Sequence, residues 1–152
     1  MFVIMSNYFW SSFINVSLFI LCSCFQEVQT RRFVSWEPVL KDLEQIIKIP
    51  TKVDASLYTA TYSNHCKISV VRCFHLEMKV LLYEANIGGD SDIYNSTRRV
   101  LRSVGRFLDD EQDKETSQCQ ECETFEEKQY TEFIENFQDI ARRLHREEKW
   151  EK

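Results

Sequence analysis

The chain has 152 residues, enough for one domain and not two. With 43% hydrophobic and 28% charged residues and only 3 Gly and 2 Pro, it is neither disordered nor collagen-like, and it lacks the turn residues that an all-β domain needs. A formal net charge of -5 excludes general affinity for nucleic acid, which demands a basic surface.

Phe13 to Phe25 is an apolar run, too short to span a bilayer comfortably and placed where the apolar core of a secretory signal lies. The first charged side chain is Glu27, so the positive segment ahead of the run is the amino terminus alone. Cleavage between Cys24 and Thr30 suits a signal peptidase. We therefore expect residues 1–30 to be a signal peptide with a short N-terminal segment, and residues 31–152 to be a secreted domain with no membrane insertion after processing. A retained anchor or a misassigned start are the alternatives. Removal of the signal would take Cys22 and Cys24 and leave an even four cysteines in an oxidising compartment.

Ser35 is placed to cap a helix beginning at Trp36, with Pro38 tolerated in its first turn and Pro50 stopping it. Trp36, Val39, Leu40, Leu43, Ile46 and Ile47 fall on one side, and Asp42 borders that stripe as a flank carboxylate. From Thr51 to His65 the pattern lapses, which reads as a crossing loop with about one helical turn. A second helix starts near Lys67, and Val70, Val71, Phe74, Met78, Leu81 and Leu82 give it a broad core face. A narrower stripe of Leu76, Val80 and Tyr83 lies on another side, bordered by Glu77 and Glu84. Such a strip is either a docking surface for a basic partner or ground covered by the loop 51–65.

Gly88-Gly89 marks a turn, after which Ser91 or Asp92 is placed to cap a third helix. Ile93, Thr97, Val100, Leu101, Val104, Phe107 and Leu108 keep its helical register, and Arg98, Arg99, Arg102 and Arg106 occupy its outer face. Four arginines suggest phosphate binding or a solvated face; no aromatic residues interleave them as nucleic-acid binding would favour. Asn95-Ser-Thr97 is a glycosylation sequon, usable in a secreted chain. Asp109 to Gln118 reads as a polar loop. A fourth helix then runs from just after Cys122 to about His145, with Glu121, Glu123, Glu126 and Glu127 at its head and Arg142, Arg143, His145 and Arg146 at its tail, charges that suit the macrodipole.

Four amphipathic helices without a convincing strand make an all-α four-helix bundle. The short turn near 85–92 makes the second and third helices antiparallel neighbours. The connection 109–121 reaches roughly 43 Å at about 3.3 Å per residue. A helix of about 16 residues needs only ~24 Å to be retraced. Both long connections, 50–66 and 109–121, therefore suit overhand crossovers in an up-up-down-down order.

Cys66, Cys73, Cys119 and Cys122 fit two disulfides between the heads of the second and fourth helices, either Cys66–Cys119 with Cys73–Cys122 or the crossed version. The alternative is an intracellular zinc-binding helical module, for which Cys119-x-x-Cys122 would supply one half; the spacing of Cys66 and Cys73 matches the other half poorly. His65, His75 and His145 sit on separate elements and no nucleophile–base spacing recurs, so neither an enzyme nor a cofactor is expected.

Ser35-Trp-Glu-Pro-Val-Leu-Lys-Asp-Leu43, Asp54-Ala-Ser-Leu-Tyr-Thr59, Cys66-Lys67 with Cys73-Phe74 and Glu77, and Cys119-Gln-Glu-Cys-Glu123 with Glu126-Glu-Lys128 and Glu132-Phe133 occur in order across residues 35–145. This set resembles the interleukin-2/interleukin-15 family of short-chain four-helix cytokines, and within it the interleukin-15 branch. The resemblance implies bridges Cys66–Cys119 and Cys73–Cys122. It also implies presentation by the interleukin-15 receptor alpha chain, a sushi domain, and signalling through the interleukin-2 receptor beta chain and the common gamma chain in support of lymphocytes. On the same grounds the alpha contact maps to Tyr58, Glu77, Val80 and Glu84, the beta contact to Asp42 and Arg99, and the gamma contact to Arg142. At the last two of these the family uses asparagine (beta) and glutamine (gamma), so Arg99 and Arg142 depart from its pattern. An interleukin-15-like or interleukin-2-type paralogue with different receptor use is the alternative, and a glycan at Asn95 would lie close to the expected beta face.

Overall fold

A computed structural model describes residues 35–50, 53–111 and 118–150. The signal peptide expected over residues 1–30 lies outside them. Four helices carry the fold: α1 (Glu37–Lys48), α2 (Lys67–Gly88), α3 (Ser91–Asp110) and α4 (Tyr130–Trp150). Two three-residue strands, β1 (Ser56–Tyr58) and β2 (Glu127–Gln129), lie in the connections, and a 3-10 turn covers Cys122–Thr124.

Local sequence explains most of the helix ends, with small corrections. α1 is preceded by Trp36, and the Glu37 N–H donates to Ser35 Oγ at 3.4 Å, so Ser35 serves the helix from one position further out than expected. Ile49 leaves the helix in an extended conformation, as a residue before proline is pushed to do. α2 runs through Gly88 and ends on Gly89, whose φ of 70° is the left-handed conformation that glycine adopts at least cost. The cap of α3 is Asp90, not Ser91 or Asp92; its Oδ1 accepts the Ile93 N–H at 3.1 Å. The α2–α3 turn is so tight that the cap falls immediately after Gly89.

Two larger corrections concern the crossovers. The segment expected to hold a helical turn contains β1 instead. It pairs antiparallel with β2 in the register Ser56↔Gln129, Leu57↔Lys128 and Tyr58↔Glu127, and the Thr59 N–H extends the ladder to the Glu126 carbonyl at 2.9 Å. Leu57 anchors the ribbon, fully buried in the core. The second correction is that α4 begins at Tyr130. Glu121, Glu123, Glu126 and Glu127 all precede it, Glu123 inside the 3-10 turn and Glu127 in β2, leaving Glu132 as the acid in its first turn. The macrodipole argument therefore fails for those four glutamates, because the dipole effect fades beyond the first turn. Arg142, Arg143, His145 and Arg146 likewise stand ahead of the end, since α4 continues to Trp150.

α1 packs against α3 and α4, and α2 against α3, the neighbour pattern of the up-up-down-down bundle. Phe74 of α2 stacks on Phe137 of α4 with centroids 4.7 Å apart and meets Phe133 at 5.2 Å. Trp36 closes one end of the core by an edge contact with Phe107 at 5.0 Å, and the buried Tyr130 hydroxyl donates to the Ile46 carbonyl at 3.2 Å. The disulfides are Cys66–Cys119 and Cys73–Cys122, with Cα separations of 5.6 and 5.0 Å. All four sulfurs are thus consumed, which removes the zinc-thiolate alternative. Among the described residues no helix is long and apolar enough to cross a membrane.

Candidate interaction surfaces

The outer face of α2 carries an uncovered apolar strip. Leu76 and Val80 are each 43% exposed, and Tyr83 and Ile87 each 64%. Helical spacing puts them on successive turns, and Ile87 extends the strip beyond the three residues expected from sequence. The connection between α1 and α2 does not bury this ridge; it runs alongside. The join is made by Glu77, whose Oε2 accepts the Tyr58 N–H at 3.0 Å and thereby holds β1 against α2. Burial raises the Glu77 pKa from its ordinary value, with the Tyr58 N–H acting in the opposite sense and the Glu123 and Glu127 carboxylates adding to the rise. Glu77 is therefore half-buried and structurally engaged, whereas Glu84 is exposed on the flank of the strip.

The ribbon adds acids that sequence spacing alone did not bring to this surface. The Tyr58 phenol is raised above its usual 10.0 mainly by the Glu127 carboxylate, with burial, Glu123 and Glu77 contributing in the same direction. Tyr58 and Glu77 are thus joined, with Glu123 and Glu127 beside them, and Val80 and Glu84 follow Glu77 at i+3 and i+7 on the same helix. The Cys73–Cys122 bridge helps to hold that region together by tying α2 to the 3-10 turn. The missing signal was the ladder: β2 lies about 70 residues from β1, and nothing local announces the pairing.

A second surface lies between α1 and α3. Arg99 Nε donates to Asp42 Oδ1 at 2.8 Å, and the same guanidinium reaches Gln45 Oε1 at 3.2 Å and Ser96 Oγ at 3.0 Å. Asp42 and Arg99, paired on family grounds, are thus brought into direct contact, and Asp42 is more than an idle flank carboxylate. Asn95 is exposed one turn before Arg99 on α3, while Ser96 and Thr97 of its sequon are buried. Arg142 stands apart on α4, bonded to Asp139 Oδ1 at 2.8 Å.

A polar clasp on α4 was also missed from sequence. The Tyr62 hydroxyl donates to Glu147 Oε1 at 2.5 Å, and Lys67 Nζ bonds the other oxygen of the same carboxylate. The Arg143 guanidinium lies 5.2 Å from the Tyr62 ring centroid. Burial pushes the Tyr62 phenol up to about 12, with the Glu147 hydrogen bond adding to the rise. For Glu147, burial opposes ionisation, but Lys67 and Tyr62 outweigh it and hold the carboxyl below its ordinary range. The clasp fastens the connection before α2 to the last turns of α4. Its signal was faint, because Tyr62 and Glu147 are 85 residues apart.

The family model described as Interleukin 15 matches residues 18–144. Interleukin-15 of Chlorocebus aethiops is 31% identical over 130 residues, covering 84% of this chain and 78% of that protein. The Interleukin-15 of Marmota himalayana is 32% identical and that of Homo sapiens 30%, each over 130 residues with the same coverage.

Proposed function

The chain belongs to the interleukin-15 family, a family of cytokines and not of enzymes, and from that premise we propose that it is a secreted cytokine presented by a sushi-domain alpha receptor. In this reading it signals through the interleukin-2 receptor beta chain and the common gamma chain to support lymphocyte proliferation and survival. Residues 1–30 act as the signal and short leader, residues 31–152 form the cytokine domain, and Asn95 carries a glycan. The observation that carries the reading is the strip on α2: Val80 at 43% and Tyr83 at 64% exposure, on a face bordered by Glu84 and by the acids around Tyr58. An exposed apolar ridge edged by carboxylates suits a compact partner with a basic rim, apolar contact supplying affinity and charge supplying approach rate and register.

Beta-chain contact falls to Asp42 and Arg99, and gamma-chain contact to Arg142. Asp42 is already neutralised by Arg99, so a beta chain would meet an ion pair rather than a lone carboxylate. Arg142 offers a cation held by Asp139. Both features favour receptor chains adapted to this sequence.

The test uses Val80→Asp and Glu84→Lys, because Glu77 has a structural duty towards Tyr58. Immobilised alpha-receptor sushi domain should bind each variant at least about tenfold more weakly, the loss of about 1.4 kcal/mol expected for one well-buried interface contact. Helicity and melting temperature should match the parent chain. Unchanged affinity in both variants would remove the strip from receptor binding.

A further inference from the structure

We propose that the outward face of α3 binds a sulfated polysaccharide, a glycosaminoglycan of the heparan-sulfate type, along the row Arg98, Arg102 and Arg106. All three side chains are exposed and make no ion pair among the described residues. Arg99, their neighbour, is occupied by Asp42, Gln45 and Ser96 and is left out of the row. The chain carries a net charge of -5, so three guanidinium groups on consecutive turns, none in an ion pair among the described residues, are a concentrated exception to its electrostatics.

The geometry selects the kind of anion. Residues four apart on a helix rise about 6 Å per step, so the row is a line roughly 12 Å long and not a cup. Side chains spaced along a line do not converge on one phosphate. They suit a linear polymer with repeating oxyanions, each taken by the fork of one guanidinium. No acid stands between Arg98 and Arg106; Asp109 and Asp110 follow Arg106 at i+3 and i+4 and moderate that end of the row, leaving Arg98 and Arg102 as its strongest part. No aromatic residue stands among Arg98, Arg102 and Arg106 for a base to stack on, which disfavours single-stranded nucleic acid. No apolar anchor accompanies them to enter a bilayer, which disfavours a membrane surface. A sulfated polysaccharide needs neither. From the functional reading the proposal takes only the extracellular setting; the binding itself is independent of any receptor.

The experiment measures binding of the full secreted chain to an immobilised, size-defined heparin fragment at physiological ionic strength, with salt elution. Expected are retention of the parent chain, binding at least about tenfold weaker for the triple variant Arg98→Ala, Arg102→Ala, Arg106→Ala, and a shallower salt dependence. A charge-matched control, Lys48→Ala, Arg146→Ala, Lys149→Ala, should stay within about twofold, because sites of general attraction would respond equally to both. Alanine favours the helix, so the triple variant should keep its circular dichroism and its affinity for the sushi domain. The proposal is overturned if the parent chain is not retained, if both triple variants lose binding alike, if desulfated heparin binds as well, or if single-stranded DNA or phosphatidylserine vesicles bind as tightly. Loss of sushi binding in the Val80 and Glu84 variants bears on the receptor reading alone.

Discussion

His75 lies half-buried on α2, close enough to α3 that a Cβ on Gly105 would come within 3.6 Å of its Nε2. Burial lowers its pKa from the ordinary 6.5, nearby Lys79 lowers it further, and the Leu101 carbonyl and Asp109 only partly offset them. The imidazole is therefore easier to protonate in the unfolded chain. Its contribution to stability is intact above 6.5 and is lost as pH falls through that value towards the folded pKa. Chemical denaturation across this range should show the parent chain weakening with acid, and His75→Leu should flatten that part of the profile. An unchanged slope in the variant would assign the acid sensitivity to another group. Glu77 has the opposite sign: its raised pKa makes the charged form costlier in the folded state, so its burial weakens folding as pH rises through that pKa. The acceptor it gives to Tyr58 is what the fold gains in exchange.

At the scale of the element, the second crossover is shaped more by sulfur than by helix propensity. Cys122, the first residue of the 3-10 turn ahead of β2, is bridged to the buried Cys73, and Cys119 to Cys66 at the head of α2. The bridges join positions 53 and 49 residues apart, so each restricts a long loop of the unfolded chain. Removing one pair by Cys66→Ser with Cys119→Ser should cost about 2–4 kcal/mol of unfolding free energy. Removing Cys73–Cys122 with Cys73→Ala and Cys122→Ala should cost a similar amount and also loosen β2 against β1. Urea unfolding measures the first effect, and amide exchange at Leu57 and Lys128 the second. If Leu57 and Lys128 keep full protection without that bridge, the burial of Leu57 and the Glu77–Tyr58 bond hold the ribbon without it.

At the scale of the whole molecule, the bundle is joined across its interior by aromatic rings. Phe74, fully buried, contacts Phe133 and Phe137 and so links α2 to α4 where few backbone approaches do. Phe74→Ala should destabilise the fold by about 3–5 kcal/mol, the cost of lost burial plus the cavity left behind. The change should appear as a lower urea midpoint with an unchanged slope, whereas a shallower slope would mean that the core had loosened as a whole. The same core keeps both faces of the molecule in place. It fixes the α2 strip on one side and the arginine row of α3 on another, two surfaces of opposite charge on adjacent helices.

What the chain wrote locally was the helices, their core faces and the family: the 3.6-residue repeats of Ile93 to Leu108 and of Tyr130 to Leu144, and the four cysteine positions with the Asp54-to-Thr59 string. Tertiary structure alone decided the β1–β2 ribbon, the late start of α4, the Glu77–Tyr58 join, the Asp42–Arg99 pair and the Tyr62–Glu147 clasp. The division has a physical cause. Helical periodicity arises between residues three and four apart, so it is legible in any short window, whereas a three-residue strand or an ion pair gains its stability from a partner tens of residues away and leaves no periodic mark of its own.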